Sequence, residues 1–412
     1  ANSPASSILP RTPTCLNGSN KLTEFHSHSG ADPRLAGGRL TIDIPALMAN
    51  YRLLGELSGG ARAAGVVKAN AYGLGIEIVV PALLAAGCED FFVALPEEGI
   101  AVRKLAADAQ IFVLAGLFEA EAAPFYSEAR LIPVLNTERD IAIWEAHCGV
   151  EGRALPCAIH VDTGMNRLGL TVERALGYAR ENALTRAIEP VLLMSHLACA
   201  DEPMHPLNRK QVELFRRVRE AYGGVEASMA NSAGVFLGDS ARFDLTRPGI
   251  ALYGGQPVSG AAKPIRPVVT AEARVAQIRY VRAGERASYG GAATLTRDTT
   301  IAVAAVGYAD GYHRSGSGAG VPLRAAVPQG AHGFVAGRRV PVLGRVTMDL
   351  TLFDVTDCGP DAVQPGDHIE LFGPNIPLDE AAHAAGTIAY ELLTSLGRRW
   401  QRHVIGAEED RA

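Results

Sequence analysis

The stretch "GVVKANAYGLGIEIVVPALLAAGCEDFFVA", residues 65–94, holds one complete unit of a repeating pattern. The apolar run "GVV" reads as a short strand, "IEIVVPALLAAG" as a helix and "DFFVA" as the next strand. The alternation continues. "DFFVA" leads into "PEEGIAVRKLA", and "QIFVLAG", "LIPVLN" and "ALPCAIHVDT" are each followed by a helical pattern. "VLLMSHLA" leads to "NRKQVELFRRVREAYGG", with Val212, Phe215, Val218 and Tyr222 on one helical face and Gly223 as the stop. "ASMANS" and "RFDLTRPG" complete the series. These strands are apolar throughout rather than alternating, as strands covered on both faces are. The pattern predicts an α/β protein with a (β/α)8 TIM-type barrel over residues 38–264. Within that span "RLTIDI" is a short strand, and Pro45 opens the helix "PALMANYRLLGEL".

The texture changes after residue 264. "VVTAEARVAQIRYVRAG", "TTIAVAAVGYA", "GFVAGRRVPVLGRVTMDLTLFDVTD" and "GDHIELFG" are β-rich with glycine turns, and helical patterns return only at "LDEAAHAAGTIAYELLTSLG". A mostly β C-terminal domain is expected over 265–412. Residues 1–37 are rich in Ser, Pro, Asn, Thr and Gly without an apolar period, so this segment is expected to be disordered or partly of vector origin.

The 412 residues carry 39 basic and 44 acidic side chains, a net charge of −5, which gives no bulk reason to bind nucleic acid or an anionic membrane. No apolar run is long enough for a transmembrane helix. The six cysteines form no CxxC pair and no zinc-spaced cluster, so free thiols in a reducing, cytoplasmic setting and no metal site are expected. No basic-then-apolar signal peptide opens the sequence.

Chemistry in such a barrel collects at the C-terminal ends of the strands. Lys68 follows "GVV" at such an end, where a desolvated amine can lose its proton and form a Schiff base with a carbonyl. Taken alone, it also reads as a strand-end lysine reaching solvent. "NSAG", with Asn231 and Ser232, and "TRPGIALYG" (246–254), with Gly249, each read as an ordinary tight turn or as a backbone seat for phosphate.

Together these stretches resemble the alanine racemase family, which depends on pyridoxal 5'-phosphate. "VVKANAYGLG" is similar to the family's cofactor-attachment signature. "DTGMNRLGL" (162–170), "SHLACAD" (195–201), "RPGIALYG" (247–254), "ASYGG" (287–291), "GYADGY" (307–312) and "GRVTMDL" (344–350) follow in the family's order. The resemblance runs from about Arg39 almost to the C-terminus. It implies interconversion of L-alanine and D-alanine by a homodimer with shared sites, supplying D-alanine for peptidoglycan or consuming it. Lys68 would carry the cofactor and serve as one base. Tyr72, Ser232, Gly249, Ile250 and Tyr390 would hold its phosphate. Arg247 would face the pyridine nitrogen with His196 behind it, and because arginine does not release a proton, the ring nitrogen would stay unprotonated.

Racemisation removes a proton from one face of Cα and delivers one to the other, which two opposed bases do directly. The resemblance makes Tyr289 the second base, reaching the site from another subunit. A free tyrosine titrates at about 10, so a nearby cation would have to favour its phenolate. Arg167 would meet the substrate carboxylate and the cofactor's phenolic oxygen, and Met348 would offer its backbone N–H to the same carboxylate. Asp349 would support the tyrosine side, while Asp201, Tyr308, Arg314 and Arg345 would line the entrance. One position departs from the family. Where it usually has a carbamylated lysine bracing the arginine, this sequence has His160, in "AIHVDTGM". A neutral imidazole is expected there instead. The alternatives are a racemase of broader amino-acid scope, a non-enzymatic pyridoxal-phosphate carrier and a decarboxylase of the same barrel class. "SYGG" and "RVTMD" favour the racemase, since a carrier needs neither a second base nor a carboxylate seat.

Overall fold

The computed structural model describes residues 32–181, 187–258, 265–321 and 329–406. The parallel sheet runs through Gly65–Val66, Asp90–Val93, Gln110–Val113, Ile132–Leu135, Pro156–Asp162, Glu189–Met194, Glu226–Asn231, Leu245–Arg247 and Arg62–Ala63. The first and last of these are two halves of one staggered strand, separated only by Ala64. The Ala64 N–H donates to Thr246 O at 2.9 Å, and that of Val67 donates to Phe92 O at 2.9 Å. Pairing with both neighbours in this way closes the ring of the expected (β/α)8 barrel. Asp90–Val93 and Ile132–Leu135 are buried at every residue, as the unbroken apolar runs require. Inside the ring Phe92 stacks on Phe112 with centroids 4.6 Å apart.

The second sheet is built around the long strand Val269–Val281. Gly38–Asp43, Thr299–Ala304 and His368–Phe372 all pair with it antiparallel. Gly38–Asp43 also runs parallel to Trp400–Ile405, so the first described strand is tied to the last. This corrects the sequence expectation for "RLTIDI", which was assigned to the barrel span. The reason is visible in its burial, which alternates residue by residue, with Leu40 and Ile42 fully buried and Arg39, Thr41 and Asp43 half-buried. One covered face gives alternation, whereas the barrel strands have two. The chain then enters the helix Ile44–Leu57 through Asp43, whose carboxylate accepts the Ala46 N–H at 2.8 Å, and crosses to the barrel.

Residues 1–31, 259–264 and 407–412 lie outside the described residues, and with them most of the segment expected to be disordered and the expected junction near 264. Asp32–Gly37, included in that segment, instead form a turn in which Arg34 makes three bonds to Asp32, one from its backbone N–H and two from its guanidinium.

Because Leu40 is fully buried where both sheet neighbours meet it, Leu40→Ala should cost about 2–5 kcal/mol of unfolding free energy. Urea unfolding monitored by far-UV circular dichroism checks this. A loss below about 1 kcal/mol, the usual size of a surface change, would mean the strand contributes little.

Candidate active site

The C-terminal ends of the barrel strands open into a cavity of 470 Å³. Lys68, Tyr72, His160, Arg167, His196, Asn231, Ser232, Arg247, Gly249, Ile250 and Tyr390 all line it. Three cations face this space, and none of the lining residues is Asp or Glu. Such a pocket selects an anion.

Lys68 begins a turn of unusual hand. Ala69, Asn70, Ala71 and Tyr72 have φ of 53°, 54°, 52° and 54°, a run of left-handed residues that ends at Gly73. Left-handed geometry costs about 1–2 kcal/mol per ordinary residue, so the surroundings must hold it. Glu98 does much of this. One carboxylate oxygen accepts the Ala69 N–H at 2.6 Å, and the other accepts those of Ala94 and Leu95 at 2.8 and 3.1 Å. Asn70 Oδ1 accepts the Ile76 N–H at 3.0 Å. Gly73 is pressed against the helix Ala389–Thr394, where a Cβ would lie 2.4 Å from Leu393 O. Burial first, and Arg167 and Arg247 as neighbours, push the Lys68 amine below its usual range, while Glu98 opposes them.

At the far side of the cavity Ser232 opens a short turn capped by Asn231, whose Oδ1 accepts the Gly234 N–H at 2.9 Å. Ser232 Oγ accepts from Gly249 N at 2.8 Å and Ala251 N at 3.3 Å. Gly249 is required here, because a Cβ would fall 2.2 Å from the Tyr72 hydroxyl. The Tyr72 ring is fixed between Tyr253, stacked at 4.6 Å, and Tyr390 at 6.0 Å. Burial pushes the Tyr390 phenol up to about 12, with Asp201 adding to the shift. Hydroxyls that stay protonated donate to an anion.

Arg247 is buried among neutral acceptors. It donates to Ser195 O at 2.6 Å, to Ser228 Oγ and to His196 Nδ1 at 3.3 Å, and lies 5.7 Å above the Phe92 ring. Burial lowers its guanidinium to about 9, since no carboxylate compensates the charge. A guanidinium can only donate, so His196 Nδ1 is bare and its hydrogen sits on Nε2. Burial and the nearby cations keep His196 uncharged.

Apart from Tyr390, the C-terminal residues singled out by sequence do not line this cavity. Tyr289 follows Ser288 (φ 69°) in the turn between Arg286–Ala287 and Ala293–Thr294, with 72% of its surface exposed. Arg345 lies beside this turn, its Nη1 3.5 Å from where a Gly290 Cβ would be. Tyr308 and Met348, also exposed, sit on two loops zipped together, with the Tyr308 N–H on Thr347 O and the Ala309 N–H on Met348 O, both at 3.0 Å. Arg399 clamps the pair. It grips Asp310 at 2.6 and 2.8 Å and Asp349 at 2.7 Å. Asp201 and Arg314 are exposed and do not line the cavity. A single chain thus gathers the barrel residues and leaves Tyr289, Met348, Tyr308, Arg314, Arg345 and Asp349 outside.

Comparison with known proteins decides the family. The profile of the alanine racemase N-terminal domain matches residues 42–257, and that of the alanine racemase C-terminal domain matches 268–404. The chain belongs to the alanine racemase family. It is 55% identical to the alanine racemase of Rhizobium meliloti (strain 1021) over 90% of this chain and 97% of that protein. In Agrobacterium fabrum it is 52% identical to a biosynthetic alanine racemase, over 90% of this chain and 94% of that one, and 42% identical to a catabolic one, over 90% and 92%. The crystal structure of the Bartonella henselae alanine racemase with covalently bound pyridoxal phosphate superposes with a TM-score of 0.83. It has 37% identity and covers 90% of this chain and 100% of that one.

Within this alanine racemase fold, Glu98, Asn136 and Arg399 escaped the sequence reading. Glu98 carried a faint signal, an acidic residue in the first turn of the helix Pro96–Leu105. Replacing it by glutamine removes a negative charge that favours the ammonium form of Lys68, so the Lys68 amine should titrate still lower. The rate of Lys68 acylation against pH in cofactor-free protein reads this. An unchanged or raised midpoint in Glu98→Gln would detach Glu98 from the lysine.

Proposed function

We propose that this chain interconverts L-alanine and D-alanine with pyridoxal phosphate, with Lys68 and Tyr289 as bases on opposite faces of the substrate. One observation carries the reading. The cavity places a desolvated lysine among arginines with no lining carboxylate, and a glycine-floored seat lies on its far side. The donor set fits the cofactor. Tyr72, Ser232, Tyr390 and the Ile250 backbone N–H offer donors for a phosphate beside Gly249, whose own N–H braces Ser232 Oγ, and Lys68 offers an amine. When bound, pyridoxal phosphate draws electron density from the substrate's Cα and makes its proton acidic.

The chain's own residues do the rest. Lys68, its amine lowered by burial, accepts or returns a proton at Nζ on one face. Arg247 keeps its proton and meets the ring nitrogen, with His196 fixed behind it by the 3.3 Å contact. Arg167, which has no hydrogen bond or ion pair among the described residues, is left to hold the substrate carboxylate and the cofactor's phenolic oxygen. Tyr289 handles the proton on the other face, helped by the Arg345 guanidinium near its turn, and Met348 offers its N–H to the carboxylate. Asp349 holds the Met348 loop through Arg399. Asp201, Tyr308, Arg314 and Arg345 narrow the approach.

In this reading Tyr289 and Met348 come from a second copy of the chain, and the homodimer shares its sites. The exposure of Tyr289, Tyr308, Met348 and Leu350 on one β-rich unit, away from an open cavity, supports it. We divide the chain into a barrel over 38–264 and a β domain over 265–412, the latter borrowing the strand Gly38–Asp43. Supply of D-alanine for peptidoglycan in the cytoplasm is the favoured role, supported by greater identity to the biosynthetic than to the catabolic Agrobacterium fabrum relative. No helix among the described residues is long and apolar enough to cross a membrane.

Chiral chromatography after incubating the holoenzyme with L-alanine should show D-alanine accumulating toward an equal mixture. Other L-amino acids turning over as fast would replace this reading with a broad-scope racemase. A second experiment addresses sharing. Lys68→Ala and Tyr289→Phe should each lose about 10²–10⁴-fold in rate, the usual worth of a positioned acid or base. Mixed under conditions where subunits exchange, they should regain activity, because one site of each heterodimer has both residues intact. No recovery despite exchange would place both bases on one chain.

A further inference from the structure

His160 reaches the cavity from within the strand Pro156–Asp162 and is almost fully buried. Its Nδ1 lies 2.7 Å from Oδ1 of Asn136. Which atom donates is settled by the other side of the amide. Asn136 Nδ2 is 3.1 Å from Leu114 O and 3.0 Å from Val134 O. Carbonyl oxygens only accept, so the NH2 group must face them and the amide oxygen must face the imidazole. That oxygen cannot donate either. The hydrogen therefore sits on His160 Nδ1, and in the neutral ring Nε2 keeps a free lone pair.

The partners of the amide fix which way it faces. Asn136 is buried at the end of the strand Ile132–Leu135, and its N–H is held by Asp140 Oδ2 at 2.8 Å. Gly116 (φ 76°) passes over it so closely that a Cβ there would lie 2.9 Å from Nδ2. A flip would set the amide oxygen against two carbonyls and leave buried groups unpaired. The charges around His160 are Arg247 and Arg167, which oppose a proton on the ring, and Asp162, which favours one. His196 stands near and is itself uncharged. One oxygen of the Asp162 carboxylate, Oδ1, already accepts from the N–H groups of Gly164, Met165 and Asn166. Burial and the two arginines prevail and take His160 down to about 4.

We propose that Asn136 is a positioning residue for the reaction: it locks His160 in the Nδ1–H tautomer, so that Nε2 presents an uncharged acceptor to the cavity beside Arg167. The two histidines of the cavity then hold opposite tautomers for opposite reasons. His196 has its Nδ1 bare because Arg247 donates to it. His160 has its Nδ1 protonated because Asn136 accepts from it. Arg167 has no partner among the described residues, and Nε2 offers it an uncharged acceptor across the shared cavity that would leave its full charge for a carboxylate. No carbamate is needed for this. The inference rests on the reading of Arg167 as the seat of the substrate carboxylate.

The test is side-chain ¹⁵N NMR of histidine-labelled holoenzyme, with the His160 signals assigned by their loss in His160→Gln. We expect a neutral ring with the hydrogen on Nδ1, unchanged by titration down to the region of its low midpoint, about 4. A wild-type ring with its hydrogen on Nε2, or doubly protonated at neutral pH, overturns the proposal without any variant having to fold. Two variants then read the positioning role. His160→Gln keeps a donor for Asn136 and an acceptor for Arg167, so KM for alanine should stay within a few-fold of wild type. His160→Leu keeps neither, so KM should rise roughly tenfold, as when a hydrogen bond to a charged group is lost, with less change in kcat and with the cofactor retained. Equal KM values in the two variants would overturn it. Racemisation by the wild type is scored separately, so an active racemase with the wrong tautomer refutes this inference alone.

Discussion

Everything at the mouth of the barrel answers to positive charge that the protein itself does not neutralise. Arg247 is buried against carbonyls, hydroxyls and a neutral imidazole, and Lys68 and Arg167 face the same cavity. Burying a charge without a counter-charge is among the costlier arrangements in a fold. Here neutral acceptors surround the guanidinium, and the stacked Phe92–Phe112 pair floors it. Two histidines nearby are held uncharged by burial first and by the same field after it. The carboxylates of the region are turned elsewhere, with Asp162 and Glu98 spent on backbone N–H groups. An anion entering this space therefore meets attraction without competition.

The barrel was readable because its strands are buried on both faces, which writes unbroken apolar runs into the sequence. The misassigned strand "RLTIDI" carried its own correction. Its alternation of Leu40 and Ile42 with polar neighbours is the mark of a half-covered sheet, and five or six residues are too few for that mark to outweigh the chain position. Of the site, Lys68, Ser232 and Gly249 stood at strand ends and tight turns, where residue type and position both speak. The other assignments came through family resemblance. Asn136 and Arg399 stayed silent, and Glu98 nearly so, because they act through backbone groups or through another side chain. Nothing in a residue's identity reports that its amide faces two carbonyls.

The C-terminal unit follows a different logic. Apart from Tyr390 on the helix Ala389–Thr394, the side chains of this unit singled out by sequence sit on turns rather than strand ends, and long-range contacts give those turns their shape. Arg399 joins the loops of Asp310 and Asp349, and Trp400 next to it donates from its indole to Asp310 O at 2.7 Å. Gly307 lets the two loops touch, since a Cβ there would lie 2.2 Å from Thr347 O. Tyr308 and Met348 are thus presented on a braced surface even where they face solvent. The strand Gly38–Asp43 stitches this unit to the start of the barrel chain, so the second sheet is completed by two separated stretches of sequence, while the barrel sheet is drawn from the single span between Arg62 and Arg247.

The left-handed run after Lys68 bears on how a signature such as "KANAYG" should be understood. Between the lysine and the tyrosine, residues 69–71 offer little side-chain chemistry to a ligand. Two are alanines, which carry the Cβ penalty of the inverted backbone but no branch to add to it, and the third is asparagine, a side chain that tolerates this geometry better than most. A β-branched residue at any of the three would crowd its own carbonyl. The spelling is a record of handedness more than of catalysis, and its information content lies in the side chains it leaves out.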